Sequence, residues 1–191
     1  NLKINYFIFI SVLIISLLNI YGSRFADDIN HYHYGYILNT DNHNYIWGLS
    51  HLHHHYGMSS IWLIGHSYFN FETYRLQDIH VLNGLILFLI VSLFISEIGL
   101  INRKKKNYSI IIFSILIFIL LKYTRLKEFG IDRPAYLLFY FFIYYYLKYF
   151  LYNNNLIKFN DFLILCLVCS LIIFIKVIFL SIIIIPLYLL I

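Results

Sequence analysis

Charge is what this chain has least of. Only 12% of its 191 residues are Asp, Glu, Lys or Arg, against roughly 25% in an ordinary soluble domain. With a hydrophobic content of 61% and a mean hydropathy of +0.77, that shortage argues against a water-facing globule and for a multipass membrane protein. Cysteine is scarce too, with two residues. Cys166 and Cys169 lie inside an apolar run, which excludes a disulfide framework and reads as a pair of buried thiols on one helix. An HExxH motif is absent, and no carboxylate stands among His51, His53, His54 and His55, which weakens a zinc-enzyme reading. The net charge of +5 is not a nucleic-acid signal, because the basic residues fall beside apolar runs as topology determinants do.

What is present is a series of apolar runs interrupted once. The expected fold class is all-α, a polytopic transmembrane helix bundle. Its spans are expected at about 6–21, 81–101, 108–123, 134–151, 160–175 and 177–191, each near the roughly 20 residues that cross a bilayer. The cluster Arg103, Lys104, Lys105 and Lys106 marks a cytoplasmic turn. Residues 22–80 would then form a long outer loop of juxtamembrane amphipathic helices after the first span. This places a single N-terminal transmembrane domain over residues 1–191, in the bacterial inner membrane with its first loop facing the periplasm or exterior. Beginning at Asn1 and stopping at Ile191 within an apolar run, it reads as part of a longer protein. In the outer loop, residues 29–38 read as a helix and Asn39-Thr40-Asp41-Asn42 as its stop and turn. Tyr45, Ile46, Leu49, Leu52 and Tyr56 recur near helical spacing, and Ser59-Ser60 precedes a further short amphipathic piece.

Several groups in this pattern can carry chemistry. Asp27-Asp28 opens the long loop, where an acidic pair can hold a divalent cation or orient a nucleophile; helix capping is the bland alternative. The histidines His31, His33, His43, His51, His53, His54 and His55 suggest zinc, and His51 and His55 share a helical face. An interfacial or compositional role explains them at least as well. The stretch from Lys122 to Arg133 is basic on what should be the outer side, so its cations have a local role. Asp132-Arg133-Pro134 enters the fourth span, with proline at an ordinary helix-start position. Lys176 interrupts the last apolar stretch, where a hairpin at the surface avoids burying it at mid-bilayer.

The order of these features resembles the GT-C glycosyltransferase superfamily. The matching stretches are Phe25-Ala26-Asp27-Asp28, Ile131-Asp132-Arg133-Pro134, and Phe174-Ile175-Lys176 with the following hairpin through Pro186. A finer similarity is to an uncharacterised bacterial branch of GT-C-like proteins. It rests on Gly48-Leu49, Leu52-His53, Gly57, Ser59-Ser60 and Trp62. The resemblance implies a glycosyltransferase that takes a hexosyl or pentosyl unit from a polyprenyl-phosphate-linked sugar at the outer membrane face, in surface glycan or polysaccharide assembly. Asp27 or Asp28 would be the catalytic carboxylate, and Asp132, Arg133, Lys176 and His53 substrate-binding groups. A divalent cation, Mg or Mn, is the implied cofactor, with Asp27, Asp28 and Asp132 as candidate ligands. Membrane lipids are expected partners and nucleic acid is not. Two alternatives stand beside it: a non-catalytic polysaccharide polymerase-like or flippase-like membrane protein, and a histidine-rich metal-binding membrane protein.

Overall fold

The computed structural model describes residues 6–20, 33–43, 48, 51, 60–69, 81–100, 106–122, 130–150 and 159–189. Among them every regular element is helical: α1 (Tyr6–Ile20), α2 (Tyr34–His43), α3 (Ile61–Ser67), α4 (Val81–Leu100), α5 (Lys106–Leu121), α6 (Asp132–Phe150), α7 (Phe159–Ile175), a 3-10 segment (Val177–Ile183) and α8 (Ile184–Tyr188). The first five expected runs coincide with α1, α4, α5, α6 and α7 to within a residue or two at each end. The all-α class therefore holds.

The transmembrane part of that expectation is corrected. Among the described residues no helix is long and apolar enough to cross a membrane. The physical reasons lie in length and interruption. Helices α1, α5 and α7 have 15, 16 and 17 residues, short of the roughly 20 that a bilayer core asks for. Helix α6 holds three charged residues, Asp132, Arg133 and Lys148, within its length. The sixth expected span is no long helix at all: residues 177–183 form the 3-10 segment, and α8 adds five residues containing Pro186. The assignments of a polytopic bundle and of a multipass inner-membrane protein with a periplasmic loop fall with it.

A helix-on-helix core organises the chain. In α4, Ile86, Leu87, Ile90 and Phe94 are buried, and in α5 Ile112, Ile115 and Ile119. These positions repeat every three or four residues, so each helix turns one stripe inward. They meet Ala135, Leu137 and Tyr144 of α6. Phe94 and Tyr144 pack edge to face with centroids 5.1 Å apart. The other face of α6 carries Phe142 into a second cluster with Leu165, Cys169 and Ile172 of α7 and Ile182 of the 3-10 segment. Helix α6 is thus the central slab, and burying a phenylalanine such as Phe142 contributes about 1.5–3 kcal/mol. Outward faces are apolar as well: Leu89, Ile110 and Leu167 are each more than half exposed. This two-sided apolarity is what composition alone reads as membrane.

Helix α2 packs on α3 through Tyr36, Ile37 and Leu63, with Ile131 against them. It continues through Asn39-Thr40-Asp41-Asn42, where the sequence suggests a stop. Thr40 Oγ1 donates to the Tyr36 carbonyl at 2.9 Å; its hydroxyl is satisfied inside the helix, so it does not compete for a turn. The expected helix near residues 45–56 lies largely outside the described residues. Within it, Gly48 has φ +85°, a left-handed conformation that glycine adopts without a Cβ penalty.

Candidate functional site

Two helix ends and one capped turn converge at one end of the bundle. Asp132 begins α6, where a carboxylate is favoured by the free amides and positive dipole end. Pro134 is buried in the first turn, a position that has no use for an N–H. Helix α7 ends at Ile175, and Lys176 then takes an extended conformation, φ −148° and ψ 108°. Its own N–H still reaches the Ile172 carbonyl at 2.9 Å, while Phe179 N donates to Lys176 O at 3.1 Å and starts the 3-10 segment. This one extended residue redirects the chain and brings the Lys176 ammonium onto the Asp132 carboxylate as an ion pair.

The switch from α to 3-10 leaves the Ile175 carbonyl without its helical donor. Ser60 supplies one: its hydroxyl donates to Ile175 O at 2.9 Å. The same oxygen accepts from Trp62 N at 3.2 Å and so caps α3. Behind the cap, Trp62 Nε1 donates to Asn83 Oδ1 at 2.9 Å, with Asn83 fully buried. His66 is buried against Trp62, ring centroids 6.0 Å apart and nearly perpendicular. His33 is buried too, beside Gly130, where a Cβ would stand 3.8 Å from its Cε1. A polar layer therefore lies beneath the Asp132–Lys176 pair, fastened by hydrogen bonds to residues far apart in sequence.

On the α5-facing side of α6 a shallow open groove of about 20 Å³, little more than a water molecule needs, is lined by Phe118, Ile119, Lys122, Arg133, Tyr136, Leu137 and Tyr140. Phe118 and Tyr140 pack edge to face at 5.0 Å. Burial pushes the Tyr140 phenol up from its usual value, helped by Tyr136 and opposed by the Arg133 guanidinium. Tyr140 is therefore a proton donor across the neutral range. Tyr136 also meets Phe179, 5.6 Å between centroids, so it separates this groove from the 3-10 segment.

The chain belongs to the DUF8201 family. The family is described as a domain of unknown function, and its model matches residues 1–191. Neither the curated proteins nor the solved structures contain a match. That description names no activity.

Of the expected site residues, Asp132 and Lys176 are joined directly. Arg133 follows Asp132 but lines the groove, with Lys122 as its companion cation. Asp27, Asp28 and His53 lie outside the described residues, as do His31, His54 and His55. His51 is exposed. Among the described residues no group of three His, Cys, Asp or Glu is arranged to hold a metal ion. The Lys176 ammonium engages one oxygen of the Asp132 carboxylate, Oδ1. Cys166 and Cys169 are free thiols, and burial pushes both up from the usual thiol value, which keeps them protonated and unreactive. Ser60, Asn83 and His66 were not anticipated as parts of the site. Asn83 did carry a signal: an amide inside an apolar helix needs a partner.

Proposed function

We propose that this protein transfers a sugar from a polyprenyl-phosphate-linked donor, with Asp132 and Lys176 at the polar end of the donor site. The observation that carries the reading is the ion pair between residues 44 apart in sequence, set where two helices end. The Asp132 side chain is 55% exposed, and an exposed pair of this kind contributes only about 0–1 kcal/mol to stability. Stability alone gives little reason for an extended break at Lys176.

The surroundings of Lys176 support an amphiphilic phosphate ligand. Phe174, Val177 and Ile178 flank it and are 64%, 70% and 77% exposed, so an apolar chain can lie beside the ammonium. On arrival of a phosphate, Lys176 exchanges a carboxylate partner for a phosphate one and offsets charge on the leaving group. Asp132, released from the lysine, orients the acceptor hydroxyl or receives its proton. Asp27 and Asp28 remain the other proposed carboxylates of this chemistry, and membrane lipids the proposed neighbours of the apolar faces.

The test is transfer of labelled sugar by the purified chain from a panel of polyprenyl-phosphate-linked donors. Asp132→Asn and Lys176→Met should each lower the rate about a hundredfold, the scale of one acid–base or charge-stabilising group. Full transfer by both variants, or none from any donor by the unaltered chain, overturns the proposal.

A further inference from the structure

We infer that α3 holds the two halves of the Asp132–Lys176 pair in register, with Ser60 as the positioning residue that keeps Lys176 in its extended conformation. In a helix continued past Ile175, Phe179 N would donate to the Ile175 carbonyl four residues back. Here Phe179 N turns to Lys176 O instead, at 3.1 Å, and the Ser60 hydroxyl stands in for it on Ile175 O at 2.9 Å. Ser60 and Ile175 are 2% and 3% exposed, so water is a poor substitute for either group. The two arrangements of this joint differ in which donor serves one buried carbonyl, and the hydroxyl favours the broken one.

The same short helix reaches the other half of the pair. Leu63, whose N–H bonds Ser60 O at 3.1 Å, is buried with Tyr36 and Ile37, and Ile131 packs against this cluster. Ile131 immediately precedes Asp132. Helix α3 is itself pinned on α4: Trp62 Nε1 bonds Asn83, and a Cβ on Gly65 would stand 2.9 Å from Leu82 Cδ2, so the two helices approach closely. One element fixed on the core therefore sets the chain on both sides of an ion pair that spans 44 residues. An exposed ion pair is too weak to set this geometry by itself. That Ser60 thereby prepares a donor site rests on the proposed sugar transfer; its coupling to Lys176 does not.

Zero-length carbodiimide cross-linking of the purified full chain, read by peptide mass spectrometry, tests it. An Asp132–Lys176 amide is expected in the unaltered chain, and the Glu97–Lys148 pair at the other end of α6 supplies the internal standard. Relative to that standard, the Asp132–Lys176 yield should fall about threefold or more in Ser60→Ala, within the roughly two- to tenfold weight of one net hydrogen bond. Ser60→Cys, which keeps the shape but donates only weakly, should lower it likewise and serves where the alanine variant does not fold. Ser60→Thr, which keeps the hydroxyl, should retain the full ratio. Ile112→Ala, which destabilises the core on α5 away from α3, should leave it unchanged. An unchanged ratio in the folded Ser60→Ala or Ser60→Cys chain overturns the inference, as does an equal fall in Ile112→Ala. Sugar transfer plays no part in this ratio, so a chain inactive toward every donor overturns the proposed function alone.

Discussion

Helix α6 runs between two ends of the bundle that handle charge differently. At its C-terminal end Lys148 pairs with Glu97 at 2.6 Å and lies 5.8 Å from the centroid of the Tyr144 ring. Tyr145 donates to Asp161 at 2.9 Å. Lys148 is in the last turn of α6 and Asp161 in the first turn of α7, each where the helix dipole favours its sign. Among the described side chains each of these charges has a partner: Lys148 with Glu97, and Asp161 with Tyr145. At the N-terminal end Asp132 and Lys176 also obey the dipole, yet Arg133 opposes it, and an extended residue interrupts the chain at Lys176. One end closes the bundle. The other spends backbone regularity on presenting charge, and that contrast locates the candidate site.

The two ends of α6 should differ most in activity. Asp132→Asn should lose about a hundredfold in sugar transfer, while Glu97→Gln at the opposite end leaves the rate within about twofold, since it touches nothing at the site. Equal losses in a side-by-side rate assay would erase the distinction between the ends. The buried layer supplies the next effect. Trp62→Phe removes the hydrogen bond to the buried Asn83 oxygen and part of a buried ring, and should cost about 1–2 kcal/mol in denaturant unfolding. Lys148→Met should cost about 1 kcal/mol in the same measurement, as expected of a partly exposed pair.

The smallest effect concerns pH. The Tyr140 phenol is raised above its ordinary value of 10.0, so the folded chain holds that proton more tightly than the unfolded chain does. The associated stability is present below pH 10 and is lost as pH rises through the folded value. Tyr140→Phe should therefore flatten the alkaline fall in melting temperature above about pH 10. An unchanged slope would remove the electrostatic role assigned to this ring.

Much of the local structure was legible. Apolar runs placed α1, α4, α5, α6 and α7, and Asp132-Arg133-Pro134 marked the start of α6. Lys176 was readable as a break, because an ammonium in an apolar stretch must reach a surface or a partner. Span character was not legible from composition: high Ile, Phe and Tyr content records apolar surface on every face, while crossing a membrane depends on uninterrupted helix length. The stop expected at Asn39-Thr40 failed for a local reason, the Thr40 hydroxyl finding its acceptor within the helix.

The sequence by itself determined where α1, α4, α5, α6 and α7 begin and end to within a residue or two, because hydrophobic spacing, a proline in the first turn and an isolated lysine act over a few residues. It also named Asp132 and Lys176 separately. Only the tertiary structure decided that they form one ion pair, that Ser60 takes up the Ile175 carbonyl 115 residues away, and that Arg133 faces Lys122 across a groove. Those relations depend on how α6 and α7 pack against the rest of the bundle. Packing between distant segments leaves no periodic trace in a single chain.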